Sequence, residues 1–105
     1  MSVYVDDMNP AGRVGRISSR WSHLYADTHA ELETFARQLG LRPSWIQHAG
    51  THREHCDLTA GKRAQALQLG AQPISYLRDV SELIARRRRA LEQLTATAPT
   101  LFEPR

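Results

Sequence analysis

The chain reads as a small α/β domain: one sheet of three to four strands with about three flanking helices. Three observations predict it. Short runs rich in Val, Tyr and Trp, at 3–6 and 21–26, have the composition of strands. Between and after them, apolar residues recur at helical spacing, in stretches opened by Thr28 and Thr59 and closed by Gly40 and Gly70. With 105 residues, 41% of them apolar and 24% charged, the chain is the size of one domain with a modest core. Residues 1–95 are expected to form that domain. Residues 96–105 hold two prolines and no periodicity, and are expected to be a flexible tail.

The elements follow in order. Val3-Tyr4-Val5-Asp6 predicts a first strand. Residues 8–20, with one Pro, two Gly and three Arg, predict a loop. Trp21–Ala26 predicts a second strand. Thr28 with Glu31 three residues on is a capping-box pattern, and Leu32, Phe35, Ala36 and Leu39 give the apolar face of the helix behind it. Ser44–Gln47 is a candidate third strand. Thr59 caps a second helix carrying Ala60, Ala64 and Leu67, and Pro73-Ile74-Ser75 is a short fourth strand. A last helix is expected from about Leu77 to Leu94, with Val80, Leu83, Ile84, Leu91 and Leu94 as its stripe.

Composition excludes several classes. No apolar run approaches the ~20 residues of a membrane span. No basic and then apolar stretch opens the chain, so a secretory leader is not expected. The single cysteine forms no internal disulfide and suits a reducing cytosol, so a cytoplasmic location is expected. The net charge of +3 permits an anionic ligand without requiring one.

Residues with chemical capability crowd into two stretches. The first strand ends in Asp6-Asp7, and open α/β sheets place ligands beyond the carboxyl ends of their strands. The second stretch, His48 to Arg63, holds His48, His52, His55, Cys56 and Asp57 before a helix start with Thr59, Lys62 and Arg63. His55 and Asp57 are two apart, so an extended backbone puts both on one face, with Cys56 opposite. His23 lies on the second strand and Asp27 at its end. Imidazole and carboxylate are ligands of divalent transition metals, although no HExxH or CxxC signature is present. The start of the second helix offers free N–H groups and a positive dipole end to an anion, with Lys62 and Arg63 adding charge. Arg13 and Arg16 in the preceding loop could close over the same anion. The run Arg86–Arg89 splays around a helix and reads as a solvated face rather than a stripe.

Val3-Tyr4-Val5-Asp6-Asp7, Trp21-Ser22-His23-Leu24 with Ala26-Asp27, the Glu31-Leu32…Phe35-Ala36 helix, His55-Cys56-Asp57-Leu58-Thr59 with Lys62-Arg63, and Gly70-Ala71 resemble a bacterial and phage domain-of-unknown-function family, number 4031. The resemblance covers about residues 3–90. Relatives tend to carry Cys where Ser22 stands and Tyr where Cys56 stands. It implies positions and leaves the chemistry open.

The residues together suggest a metal-dependent phosphoesterase or nucleotide hydrolase. In this reading His55, Asp57 and His23 are catalytic. Asp6, Asp7, Asp27, His55 and Asp57 are candidates to hold a divalent metal. Arg13, Arg16, Thr59, Lys62 and Arg63 are candidates to bind phosphate. The expected partner is a phosphate-containing small molecule or nucleotide. The alternatives are a non-catalytic module that captures nucleotide or nucleic-acid phosphate, and a structural or interaction protein.

Overall fold

A computed structural model describes residues 2–97. Its centre is a four-stranded mixed sheet in the order β5-β4-β1-β6. The strands are β1 (Val3–Asp6), β4 (Ser22–Ala26), β5 (Cys56–Leu58) and β6 (Gln72–Ile74). β1 runs antiparallel to β4 and parallel to β6, and β4 runs antiparallel to β5. A separate two-stranded hairpin, β2 (Ala11–Val14) and β3 (Ile17–Arg20), stands apart from this sheet. Three α-helices accompany the sheet among the described residues: α1 (His29–Gln38), α2 (Ala60–Gln68) and α3 (Ser81–Thr97).

Side chains alternate across the sheet and build two cores. On one face Val5, Leu24, Ala26, Cys56 and Leu58 meet Leu32, Phe35 and Ala36 of α1 and Ala66 of α2. On the other, Tyr25 packs with Val80 and with Leu83 of α3. Both α1 and α2 end as their sequences predict. Gly40 (φ +78°) and Gly70 (φ +103°) take the left-handed position that a side chain disfavours. Gly40 and Leu41 donate to Arg37 and Ala36, and Gly70 and Ala71 donate to Leu67 and Ala66, closing each helix in a Schellman arrangement.

Several expectations are corrected. The loop expected at 8–20 contains the β2–β3 hairpin, turned at Gly15-Arg16 with Gly15 at φ +59°. Seven of its eight strand residues are exposed, so no apolar alternation marked it. The third strand expected at 44–47 is instead a 3₁₀ turn, Pro43–Trp45, which Pro43 opens at a position where its missing N–H costs nothing. The edge strand is β5, with Gln47 and His55 forming an isolated bridge beside it. On α2 the buried residue is Ala66, while Ala60 and Ala64 are exposed. The last helix, expected from Leu77, begins with a π-helical turn, Tyr76–Val80, and Leu94 of its expected stripe is exposed. α3 runs through Thr97, so the tail expected from residue 96 lies largely outside the described residues. Among those described, no helix is long and apolar enough to cross a membrane.

Candidate functional site

The first strand places Asp6 at its carboxyl end, fully buried, beside the start of β4. Its Oδ1 accepts the backbone N–H of Met8 (3.2 Å) and of His23 (3.0 Å). Its Oδ2 lies 2.8 Å from His23 Nδ1. With a carboxylate there, Nδ1 carries the proton, and the Nε2 lone pair of His23 points away from Asp6. Antiparallel pairing of β4 with β5 sets His23 opposite Asp57. Asp57 Oδ1 is 3.8 Å from His23 Nε2 and 3.7 Å from His55 Nε2. His55 is fixed in the same sense, its Nδ1 lying 2.8 Å from the Arg53 carbonyl, which can only accept. The second oxygen of Asp57 accepts from Gln47 Nε2 at 2.6 Å.

Two imidazole nitrogens and one carboxylate oxygen thus lie within 4.8 Å of one another. Each imidazole is oriented from behind by an acceptor on Nδ1, which in the neutral ring sets the proton on Nδ1 and leaves the Nε2 lone pair facing the cluster. The rings pack among themselves, His23 edge-on to His55 at 5.2 Å, with Tyr25 and Tyr76 alongside. The hydrogen bond to Asp6 raises the His23 pKa above its ordinary 6.5, burial opposes this, and the charges of Asp6 and Asp57 add to the rise. Burial, with the nearby carboxylates, raises the Tyr25 phenol, so it stays protonated at neutral pH.

The cluster combines one carboxylate from the Asp6-Asp7 pair with His23, His55 and Asp57. The other candidates stand elsewhere. Asp7 accepts the backbone N–H of Tyr76 at 2.7 Å and anchors the turn before α3. Asp27 sits at the opposite end of β4, bound to Tyr4 Oη, the Ser2 N–H and Arg86. It is therefore separated from the histidines and belongs to a surface ion pair. Thr59 Oγ1 accepts the Lys62 N–H as the α2 cap, and the Lys62 ammonium donates to the carbonyl of Leu39 at the end of α1. Arg63 donates through Nε to the Asp6 carbonyl. Thr59, Lys62 and Arg63 thus hold the fold together around the site. Arg13 donates to the Gly15 carbonyl within the hairpin, while Arg16 lines a cleft that also includes Asp57. His48 adopts φ +54° in the loop before β5, its ring 6.0 Å from that of His55, and His52 is half-buried in the same loop. Cys56 is buried on the opposite face, its thiol pushed up to about 12 by burial and by Asp57 and Glu54.

A second polar cluster escaped the sequence reading. Glu54 is fully buried, and its carboxylate binds Arg87 (2.7 Å), His29 Nδ1 (2.8 Å) and the Gly50 N–H (2.9 Å). Burial pushes the Glu54 pKa up, but the Gly50 N–H, His29 and Arg87 outweigh it and hold the group below 4.5. Arg87 also donates to the Ala26 carbonyl, tying α3 to the end of β4. The four consecutive arginines do diverge, but Arg87 is buried, against the solvated face expected of the run. The sequence showed only an acid and a distant arginine; nothing in their spacing announces an ion pair. Gln47, the partner of Asp57, was also missed, because it lay in a presumed strand.

No curated protein and no solved structure matches this chain. Compared with known protein families, residues 3–90 match the one described as protein of unknown function, DUF4031. That span takes in all four strands of the main sheet, the whole His23–His55–Asp57 cluster and its support from Asp6. The chain belongs to the DUF4031 family.

Proposed function

We propose that His23, His55 and Asp57 bind one divalent transition-metal ion and that the centre hydrolyses a phosphate ester. The observation carrying this reading is the convergence of His23 Nε2, His55 Nε2 and Asp57 Oδ1, with both imidazoles held by acceptors on Nδ1. Metal–ligand bonds of about 2.0–2.2 Å set neighbouring ligand atoms of a tetrahedral ion roughly 3.3–3.6 Å apart. The 3.7 and 3.8 Å separations need only a small closure to reach that range. Three protein ligands leave a position open for water and substrate, as catalytic sites require. The ion supplies a water activated near neutral pH and a counter-charge for the phosphoryl oxygens. In the balanced reaction the water oxygen bonds to phosphorus, the P–O bond to the alcohol breaks, and the alkoxide takes up a proton as the alcohol leaves. Asp6 and the Arg53 carbonyl act as positioning groups, and Gln47 holds Asp57 from behind.

A second reading follows from the Asp6–His23 contact. Without a metal, a buried carboxylate on Nδ1 orients His23 so that Nε2 serves as a general base. Metal titration of the purified protein, with elemental analysis, separates the two. The first reading expects one ion per chain, loss of binding in His23→Ala, His55→Ala and Asp57→Asn, and phosphoesterase turnover abolished by chelation. A folded protein that binds no zinc, manganese or iron, yet turns over phosphate esters in a His23-dependent way, favours the second. Inertness in both tests rejects both.

A further inference from the structure

We propose that the cleft beside Asp57 binds the planar base of a nucleotide whose phosphate reaches the His23–His55–Asp57 cluster. The proposal names the substrate class for the phosphoesterase reading and rests on it for the phosphate's destination. The cleft lies outside the edge strand β5 and has a volume of about 810 Å³. That is within the range of about 300–1,000 Å³ typical of small-molecule sites. Asp57 is common to the cleft and to the cluster.

Two indoles line it. Trp21 is fixed to the hairpin by a 2.9 Å bond from Nε1 to the Gly12 carbonyl. Trp45 is 51% exposed on its 3₁₀ turn, with the Arg42 guanidinium 5.6 Å from the ring centroid. Val14 and Ile17, on either side of the hairpin turn, are 49% and 53% exposed toward the same cleft. Apolar side chains this exposed, gathered in one concavity, gain by being covered. Charge decides between occupants. Arg16 lines the cleft, exposed and with no hydrogen bond or ion pair among the described residues, so an occupant carrying an anion gains a contact there that a neutral acyl chain does not. An aromatic base joined to phosphate covers the indoles through its π-face and offers an anion to the guanidinium.

Tryptophan fluorescence and calorimetry on the zinc-loaded protein test this with adenosine, adenosine 5′-monophosphate and ribose 5-phosphate. Adenosine and its monophosphate should quench the fluorescence, the monophosphate binding more tightly, and ribose 5-phosphate should leave it unchanged. Trp45→Ala should weaken adenosine binding about ten-fold or more, the loss expected of one base–aromatic stack, with zinc stoichiometry intact. Ile17→Ser on the exposed hairpin should weaken it less. His55→Ala should remove zinc and reduce the advantage of the monophosphate to what Arg16 supplies, but spare adenosine. Adenosine that fails to bind, or binds Trp45→Ala as tightly as the parent, overturns the proposal. If zinc does not bind while adenosine still binds through Trp45, the metal reading falls and the base site stands.

Discussion

Replacing Asp6 by Asn tests the proposed site through the group that orients His23 from behind. Asp6 Oδ1 accepts two backbone N–H groups, from Met8 and His23, while Oδ2 faces His23 Nδ1 at 2.8 Å. In Asp6→Asn, the amide oxygen must take the Oδ1 position to keep both backbone donors. The NH₂ then faces Nδ1, and two donors cannot share a bond. His23 resolves the conflict by moving its proton to Nε2, the atom that faces Asp57. A metal must then displace that proton or force the buried amide to turn. Loss of such outer support typically lowers metal affinity ~10–100-fold, or about 1.4–2.7 kcal/mol at ~1.4 kcal/mol per decade. Folding should suffer less, because the switched tautomer preserves the number of hydrogen bonds; a loss of about 1 kcal/mol is expected. Competition with a chromophoric chelator reads the zinc affinity, urea unfolding reads the stability, and nitrogen-15 imidazole spectra read the tautomer. A folded Asp6→Asn protein with parental zinc affinity, or with Nδ1 still protonated, refutes the reasoning.

Other outcomes follow from the same structure. Because His23 has a raised folded pKa, its contribution to stability in the metal-free protein is full below pH 6.5 and fades as pH rises through the folded value. Zinc needs the unprotonated ring, so the rise in Tm on adding zinc should appear above that value and vanish on acidification through it. Arg87→Met strands the buried Glu54 carboxylate and should cost about 3–5 kcal/mol in urea unfolding, whereas Glu54→Gln with Arg87→Met together should recover much of the loss. Glu54 has a depressed folded pKa, so the stability it contributes is present above pH 4.5 and should fall as pH drops through the folded value, seen as a falling urea midpoint. Ser22 is buried and its Oγ has no hydrogen-bond partner among the described residues, so Ser22→Ala should stabilise the protein by about 1 kcal/mol in the same assay. Cys56 should resist thiol reagents until the protein unfolds, and modification at a rate independent of unfolding would contradict its burial.

How far the sequence could be read depended on where burial left a pattern. β1, β4 and α1 carry apolar residues at the right period, and a capping box and a C-terminal glycine bracket α1, so composition alone found them. The β2–β3 hairpin buries almost nothing, so no period could mark it. Ser44–Gln47 had strand-like composition, but Pro43 tips the backbone into a 3₁₀ turn and hands the edge to Cys56–Leu58. The pairing of His55 with Asp57 was legible because a two-residue spacing on extended backbone needs no tertiary knowledge. The juxtaposition of Asp6 with His23 was suspected from strand ends but is fixed by the β1–β4 register, which no local signal encodes. Lys62 and Asp27 both bond within the protein, and the sequence hid this for a shared reason. A charged side chain beside a helix end looks the same in sequence whether it awaits a ligand or closes the protein's own backbone. Glu54 and Arg87 lie 33 residues apart and meet only after α3 has crossed the sheet.

The borders of the main sheet bear on how the protein behaves when concentrated. At one border stands β6, three residues long with Pro73 at its middle; at the other stands β5, also three residues long, flanked by the Gln47–His55 bridge. Proline brings no amide hydrogen to a ladder, and strands this short offer few free backbone groups to an incoming chain. A second molecule seeking to extend the sheet would find little template at either border. These borders should therefore resist amyloid-like growth, and replacing Pro73 with Val should weaken that resistance, read as faster thioflavin-positive assembly under agitation.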